Sequence, residues 1–431
     1  MLNAGQKSAL LAIKNWYRSP NLYMILDGAG GTGKSYLVNE VLKELPNVKP
    51  LVLAPTNEAL KQLKDKVDGD YVFKTLHSAL GITPTGEKEL KFEQTILPSF
   101  WEQHNLAIID EVSMVDDWLL DIVNDIGIKV LYIGHKSQLP PVKIRRLMAD
   151  TCESPVFNKG YKVVTLTEPM RNTGALWDFN NYLEEMIYDT RRDIPDTFDI
   201  SRANLNRLLN ESVDDFLKDR TKIALWSNDG VDNYNQKVRL IIHGDTAKNS
   251  KYLPKDKIIL TAPLTPLQNI ERYNDKDIES AMAGDLAFIY SNSKGTVISS
   301  EIVNIKLNID LVIPTYKILV NIDGENLFIY ECVHSIDKEK IALYYEHKAW
   351  LGKTVVAKEK LFKKRRYILS CFAEVKYFYS ATSHRLQGSS IPNIIVINSD
   401  IAKNGNMIEQ KKTRYVACSR AIDNLYFYRG V

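Results

Sequence analysis

Cysteine is scarce in these 431 residues and follows no pattern. Cys152, Cys332, Cys371 and Cys418 are scattered without a CxxC pair, which argues against a zinc site or a disulfide framework and fits a reducing cytoplasm. Long apolar runs are also missing: none approaches the roughly 20 residues that cross a bilayer, and the N-terminus lacks a signal-peptide pattern. A cytoplasmic protein with no membrane contact is therefore expected. Charge of one sign is not in excess either, because 56 Lys and Arg against 53 Asp and Glu leave a net charge of +3. A nucleic-acid partner would have to be held by positive potential focused in a groove rather than spread over the surface. No repeat of short period is visible.

The chain is too long for a single compact core, so two or more domains are expected. Strand-length apolar runs at 23–27, 48–54, 106–110, 130–134 and 163–166 alternate with helix-like stretches such as 34–45 and 58–67. That alternation predicts a parallel sheet with helices on both faces. The pattern returns at 222–226, with a helix over 231–242, and again at 394–398 and 425–428, which predicts a second α/β unit. Two stretches break the rhythm. Residues 81–100, with Thr-Pro-Thr-Gly before a charged alternating run, read as a β-hairpin insertion. Residues 286–345, rich in Val, Ile and Tyr, read as a small all-β module of barrel or SH3-like type. A basic helical segment follows through 358–366, and its charges fit a solvated helix face and a nucleic-acid contact equally well.

The strongest chemical feature is Gly28-Ala29-Gly30-Gly31-Thr32-Gly33-Lys34-Ser35, which follows an apolar strand and opens a helix. It matches GxxxxGK[ST] in the context that motif requires. The glycines let backbone N–H groups converge on phosphate oxygens at a helix N-terminus. Lys34 would bridge the β- and γ-phosphates of ATP or GTP, and the Ser35 hydroxyl would ligate Mg²⁺. Asp110-Glu111 ends a later apolar strand; Asp110 is assigned to the magnesium and Glu111 to orienting or deprotonating the attacking water. The bland reading of such a pair is a helix cap, but its place one α/β unit after a P-loop favours the catalytic one. Gln138, in 134–142, would sit at the C-terminal edge of the sheet and read the γ-phosphate. Arg171 and Arg420 are candidates for stabilising developing phosphoryl charge, and each reads singly as a surface or ion-pair residue as well.

In chain order these segments resemble the motif series of a superfamily 1 helicase over nearly the whole length. Gln6 lies in a Q-motif-like start, the P-loop is motif I, Ala54-Pro55-Thr56-Asn57 resembles motif Ia, and Thr75-Leu76-His77 resembles motif Ib. Asp110-Glu111 is similar to motif II, 134–142 to motif III, the Arg171 segment to motif IV, 381–389 to motif V and 415–421 to motif VI. The Thr-Leu-His of motif Ib and the Thr382…His384…Gln387-Gly388 of motif V resemble the 5′→3′ branch, and within it the Dda-type helicases of T-even phages. The sequence departs from that pattern at Cys418-Ser419 in motif VI and through most of 258–376.

The resemblance implies an α/β fold of two RecA-like parallel-sheet domains, with a β-hairpin insertion in the first and an SH3-like β insertion in the second. The first domain would span 1–76 and 101–171, with the wedge hairpin at 77–100. The second would span 172–255 and 377–431, with the β module and its basic helix at 256–376. It implies an ATP- and Mg²⁺-dependent helicase in which Gln6 reads adenine and residues 28–35 hold the phosphates. Lys34, Glu111, Gln138, Arg171 and Arg420 would carry the chemistry, with Ser35 and Asp110 on the metal. Pro55, Thr56, Asn57, Thr75, His77, Thr382 and His384 would grip single-stranded DNA, and Phe92 would split the duplex. His77 and Phe92 read equally as packed core residues. The expected partners are single-stranded and forked duplex DNA and, by analogy, single-strand-binding or replisome proteins, the enzyme itself acting as a monomer in phage replication or recombination. An RNA helicase of the same superfamily and a non-motor P-loop ATPase are the alternatives.

Overall fold

The computed structural model describes residues 2–45, 47–84, 92–94, 98–141, 153–170, 174–189, 193–265, 289–308, 311–352 and 354–430. The chain divides into two compact units, one of Met1–Leu208, Arg220–Val231 and Ala381–Val431, the other of Leu209–Asp219 and Asp232–Ser380.

Among its described residues the first unit holds two sheets built on parallel strands, besides a short two-stranded hairpin. The larger runs Val72–Thr75, Pro50–Ala54, Leu106–Ile109, Lys129–Gly134, Tyr23–Gly28, Lys162–Leu166 in spatial order, with every neighbouring pair parallel. Its strands read as continuous apolar runs because both faces are covered. Alternate residues feed two separate cores. Ile25, Leu51, Leu53, Ala107, Ile109 and Tyr132 pack on one face; Met24, Leu26, Val52, Leu106, Ile108 and Leu131 pack on the other. The smaller sheet, in the order Ser380–Thr382, Thr221–Leu225, Ile391–Ile397, Ala421–Tyr428, is parallel across its last three strands. These are the two α/β patterns expected from the alternation of strands and helices.

The hairpin expected over 81–100 is a two-stranded antiparallel ladder of Ile82–Pro84 on Phe92–Gln94, with Pro84 opposite Phe92. The far end of that segment is helical instead, at Pro98–Trp101, where the Trp101 indole N–H donates to Ala79 O at 2.9 Å. The side chain of Phe92, the expected strand-splitting aromatic, lies outside the described residues.

The second unit is built on a five-stranded antiparallel sheet in the order Glu325–Cys332, Leu311–Ile322, Lys294–Asn308, Lys257–Leu260, Val375–Tyr377. The β character expected through residue 345 stops at Cys332, because Ser335–Trp350 is a helix. Its Lys, Glu, Ala and Leu content favours helix. Its buried residues Ile341, Tyr345 and Ala349 recur every fourth position, a spacing that the Tyr-rich composition had masked. A second helix, Val355–Ser370, opens on Thr354, whose hydroxyl accepts from Ala357 N at 3.2 Å. This is the basic helical segment read in the sequence. Cys332 and Cys371 are buried free thiols here, as is Cys418 in the first unit. No helix among the described residues is long and apolar enough to cross a membrane.

Candidate nucleotide site

The P-loop bridges the strand Tyr23–Gly28 and the helix Lys34–Glu44. Gly31 and Gly33 take φ of 90° and 83°, the left-handed region that only glycine enters at little cost. Gly28 is demanded by proximity, since a Cβ there would stand 2.7 Å from Thr32 Oγ1 and 3.1 Å from Leu166 O. Thr32 in turn donates to Ala29 O at 2.9 Å, which draws the loop tight. Lys34 Nζ donates to Gly28 O at 2.5 Å and Ala29 O at 3.0 Å. Burial pulls its pKa down, opposed by the charges of Glu111, Asp110 and Asp27.

Asp110 and Glu111 follow the strand Leu106–Ile109 at the same sheet edge. Asp110 is anchored by its backbone N–H on Leu53 O at 2.9 Å, and its Oδ1 accepts from Glu111 N at 2.9 Å. Burial and the neighbouring Glu111 charge raise its pKa to about 6. Glu111 sits at φ 51°, ψ 42°, an uncommon position for a residue with a side chain. Its Oε2 is buried with no hydrogen-bond partner among the described residues. Two crowded carboxylates, one orphaned buried oxygen and a nearby Ser35 make a donor set that fits one hard divalent cation shared with phosphate oxygens. Among the described residues no group of three or more His, Cys, Asp or Glu is arranged to hold a metal ion, and a metal completed by a hydroxyl and substrate oxygens needs none. Because a metal ligand must be deprotonated, MgATP affinity is expected to fall as pH drops through about 6. Between pH 7.5 and 5.5 the loss should be about fourfold if Asp110 alone titrates; equilibrium titration at both pH values checks this.

Gln138 is buried, and its Oε1 accepts from Ser113 Oγ at 3.1 Å. Ser113 Oγ also accepts from Gln387 Nε2 at 2.9 Å. One hydroxyl two residues beyond Glu111 thus joins the Gln138 loop to the segment after Thr382. Beside it, His135 Nδ1 lies 2.9 Å from Asp27 Oδ1, and its Nε2 lies 2.9 Å from Glu184 Oε1, the second contact close but poorly aligned. Burial lowers the His135 pKa, but the two carboxylates outweigh it and the net direction is up. Ser137 Oγ also donates to Glu184, at 3.0 Å.

Arg420 follows the helix Met407–Cys418 and is buried. Its Nε donates to Val416 O at 3.1 Å and its Nη2 to Ser419 Oγ at 2.9 Å. A Cβ on Gly30 would come within 3.4 Å of Nη2, so the guanidinium stands directly over the P-loop. A cavity of about 260 Å³ is walled by P-loop residues, Asp110, Glu111 and Gln138 on one side and by Gly388, Ser390, Ser419 and Arg420 on the other. Of the residues expected at the nucleotide, Gly30, Gly31, Gly33, Lys34, Ser35, Asp110, Glu111, Gln138 and Arg420 line this one space. Tyr36, Lys66 and Met170 line it too; none of the three is a site candidate in the sequence, although Met170 adjoins Arg171 in the motif IV-like segment. Gln6 is wholly buried behind the loop. It caps the helix Ala4–Arg18 reciprocally with Asn3, and its Nε2 donates to Thr32 O at 3.4 Å. Arg171 lies outside the described residues.

The residues expected on single-stranded DNA lie at or just beyond the ends of three β-strands, Pro50–Ala54, Val72–Thr75 and Ser380–Thr382. Thr56, Thr75 and Thr382 are each the N-cap of the helix that follows, accepting from Ala59, Ser78 and Arg385 N respectively. A hydroxyl that accepts in this way still has its own proton to donate. Pro55 and Asn57 flank Thr56, and Pro50–Ala54 and Val72–Thr75 are adjacent parallel strands, so two of the three caps share one edge. His77 is half-buried, with burial lowering its pKa against the opposing charge of Asp116. His384 is half-buried 3.9 Å from Glu409 Oε1, and burial likewise lowers its pKa.

Fold and site define a P-loop ATP hydrolase built on paired RecA-like parallel sheets. A family model described as an AAA domain matches residues 1–184. The chain is 25% identical to an uncharacterised protein of Acanthamoeba polyphaga mimivirus across 99% of both chains. It is 24% identical to the ATP-dependent DNA helicase Pif1 of Campylobacter jejuni, over 92% of this chain and 86% of that one. A solved Pif1 helicase from Bacteroides, in complex with ADP-AlF3 and ssDNA, shares the fold with a TM-score of 0.54 at 17% identity, over 99% of this chain and 92% of the other. The chain is thus similar to Pif1-type superfamily 1 helicases over nearly its whole length; the Dda-type likeness rests on the motifs alone.

Proposed function

We propose that this chain is a Pif1-like, ATP-dependent DNA helicase that moves 5′→3′ along single-stranded DNA and opens duplex DNA ahead of it. The observation that carries the reading is the cavity in which Arg420, just before the last strand of the smaller sheet, shares one space with Lys34, Asp110, Glu111 and Gln138, which stand around the edge of the larger one. A P-loop enzyme that only bound or phosphorylated a small molecule would need no second RecA-like sheet bearing an arginine at the phosphates.

ATP binds with its phosphates on the loop amides and on Lys34. Magnesium, when bound with it, would be held by Ser35 and Asp110 and supplies neutralisation of phosphate charge. Glu111, held at a strained backbone position with one oxygen unpartnered, takes the proton of the attacking water. Gln138 reads the γ-phosphate, and Arg420, with Arg171 as a further candidate, meets the charge that develops there. Because the arginine and the loop belong to different sheets, turnover and relative movement of the two sheets are coupled. Thr56, Asn57, Thr75 and His77 on one side and Thr382 and His384 on the other grip the strand backbone, and alternate loosening of the two grips moves the strand. The Dda-type motif V supports 5′→3′ polarity and a role in phage replication or recombination.

Ser113 links the nucleotide side to the strand side through Gln138 and Gln387. Ser113→Ala removes two buried hydrogen bonds and is expected to cut strand-stimulated turnover about 5- to 30-fold, while turnover without DNA stays near wild type. Steady-state ATPase with and without oligo(dT) reads the split. The proposal as a whole is tested by duplexes with one single-stranded tail. Unwinding should require a 5′ tail and ATP. Unwinding from 3′ tails, or ATPase stimulated by RNA and not by DNA, would overturn the polarity or the substrate respectively.

A further inference from the structure

The helical hairpin of the second unit is unusual in both charge and surface. Residues 335–370 carry ten Lys and Arg against four Asp and Glu, a net +6, whereas the whole chain carries only +3; the rest of the molecule is net negative. The helix Ser335–Trp350 turns Ile341, Tyr345 and Ala349 inward, yet its outward face carries Ile336, Leu343 and Trp350 at intervals of seven, Trp350 being 71% exposed. Leu351, Val355 and Val356 stand exposed at the tip, all above two-thirds. A helix that is apolar on its inward side needs no apolar residues on the other for folding, so these side chains are unexplained by stability. Beside them Lys358 Nζ lies 5.9 Å from the Trp350 ring, and Lys348 Nζ 4.6 Å from the Tyr344 ring. On the second helix Lys360, Lys363 and Arg366 are exposed at intervals of three.

We infer that this hairpin is a second nucleic-acid site, which binds single-stranded DNA through its cations and stacks a base on Trp350. This rests on the helicase reading for the identity of the polymer. Cations beside an exposed aromatic ring are the elements of sequence-independent strand binding. A purely apolar protein partner would not account for the net +6 of this segment, and a second copy of this chain would set like charge against like. The site lies outside the motif-bearing unit.

The test uses the full chain and a fluorescent oligo(dT) of about 30 nucleotides, followed by anisotropy at several salt concentrations. Trp350→Ala should weaken binding about fivefold or more. Neutralising three cations in K360Q/K363Q/R366Q should reduce the slope of log K against log salt by about 2. The control K162Q/K218Q/K248Q, three exposed lysines elsewhere, should leave the slope unchanged. ATPase stimulated by a saturating oligo(dT) of about 8 nucleotides, a length within the site size of one strand-binding module, should survive in all variants. Unchanged affinity and slope in the hairpin variants would overturn the inference and leave the apolar stripe as a protein-docking face. Absence of strand-stimulated ATPase in the wild type would instead strike the helicase reading, while the anisotropy result would still decide whether the hairpin binds the strand.

Discussion

Lys34→Ala is expected to reduce ATP turnover by on the order of 10³-fold or more, whether or not DNA is present. Lys34 supplies the only side-chain cation of the P-loop itself, and its ammonium is already held over the loop by the carbonyls of Gly28 and Ala29. That tether preorganises the charge where the β- and γ-phosphates arrive, so no reorganisation is needed at the moment of reaction. The cavity has other cations in Lys66 and Arg420, but neither is fixed to the glycine loop. Removing Lys34 also strips the cation that offsets Asp110 and Glu111, so the empty site becomes more negative as ATP approaches and affinity falls along with turnover. Lys34→Met, which keeps much of the stem and loses only the charge, separates packing from electrostatics and should be equally inactive. Turnover by coupled assay and nucleotide binding by fluorescent-analogue titration are the measurements. Turnover within tenfold of wild type would remove Lys34 from the chemistry.

How much of this site could be read in advance depended on whether a residue's role is local. The P-loop was legible because its spacing, its strand and its helix are all contiguous in sequence. Asp110-Glu111 was legible for the same reason, since a run of four buried aliphatic residues must end somewhere polar. Ser113 was not, because a lone serine after two acids reads as a helix start. Its meaning comes from Gln138 and Gln387, 25 and 274 residues away. The Asp27–His135–Glu184 contact is equally non-local, and only the burial of a histidine between strands could have hinted at it. Gln6 shows the converse, where the motif placed the residue at the loop but did not reveal that its amide is also the reciprocal cap of its own helix. In the second unit the Val, Ile and Tyr content truly marks strands through Cys332. The same content continues into Ser335–Trp350, where tyrosines pack a helix instead, and composition cannot separate the two where the period changes from two to about four.

Arg420→Ala is the second large effect expected, and its signature differs from that of Lys34. ATP affinity should stay close to wild type while kcat falls about 10³-fold or more. The reason is geometric: the guanidinium lies beside Gly30, over the far end of the loop, and is not needed to hold the phosphates that the amides and Lys34 already bind. Its contribution appears when charge gathers on the transferring phosphoryl group, so it falls on the rate and not on the binding step. The side chain is also a structural member, with bonds to Val416 O and Ser419 Oγ and a longer one to Ser389 O at 3.4 Å. Alanine could therefore disturb the helix end as well as the chemistry, and Arg420→Lys serves as the discriminating variant. Lysine keeps the charge but loses the planar fork that lets one side chain face Val416 and the P-loop together, so kcat should recover only in part. An unchanged melting temperature alongside a lost kcat would assign the effect to the phosphates. Equal losses of kcat and ATP affinity, relieved together by the lysine variant, would mean that Arg420 only props the cleft.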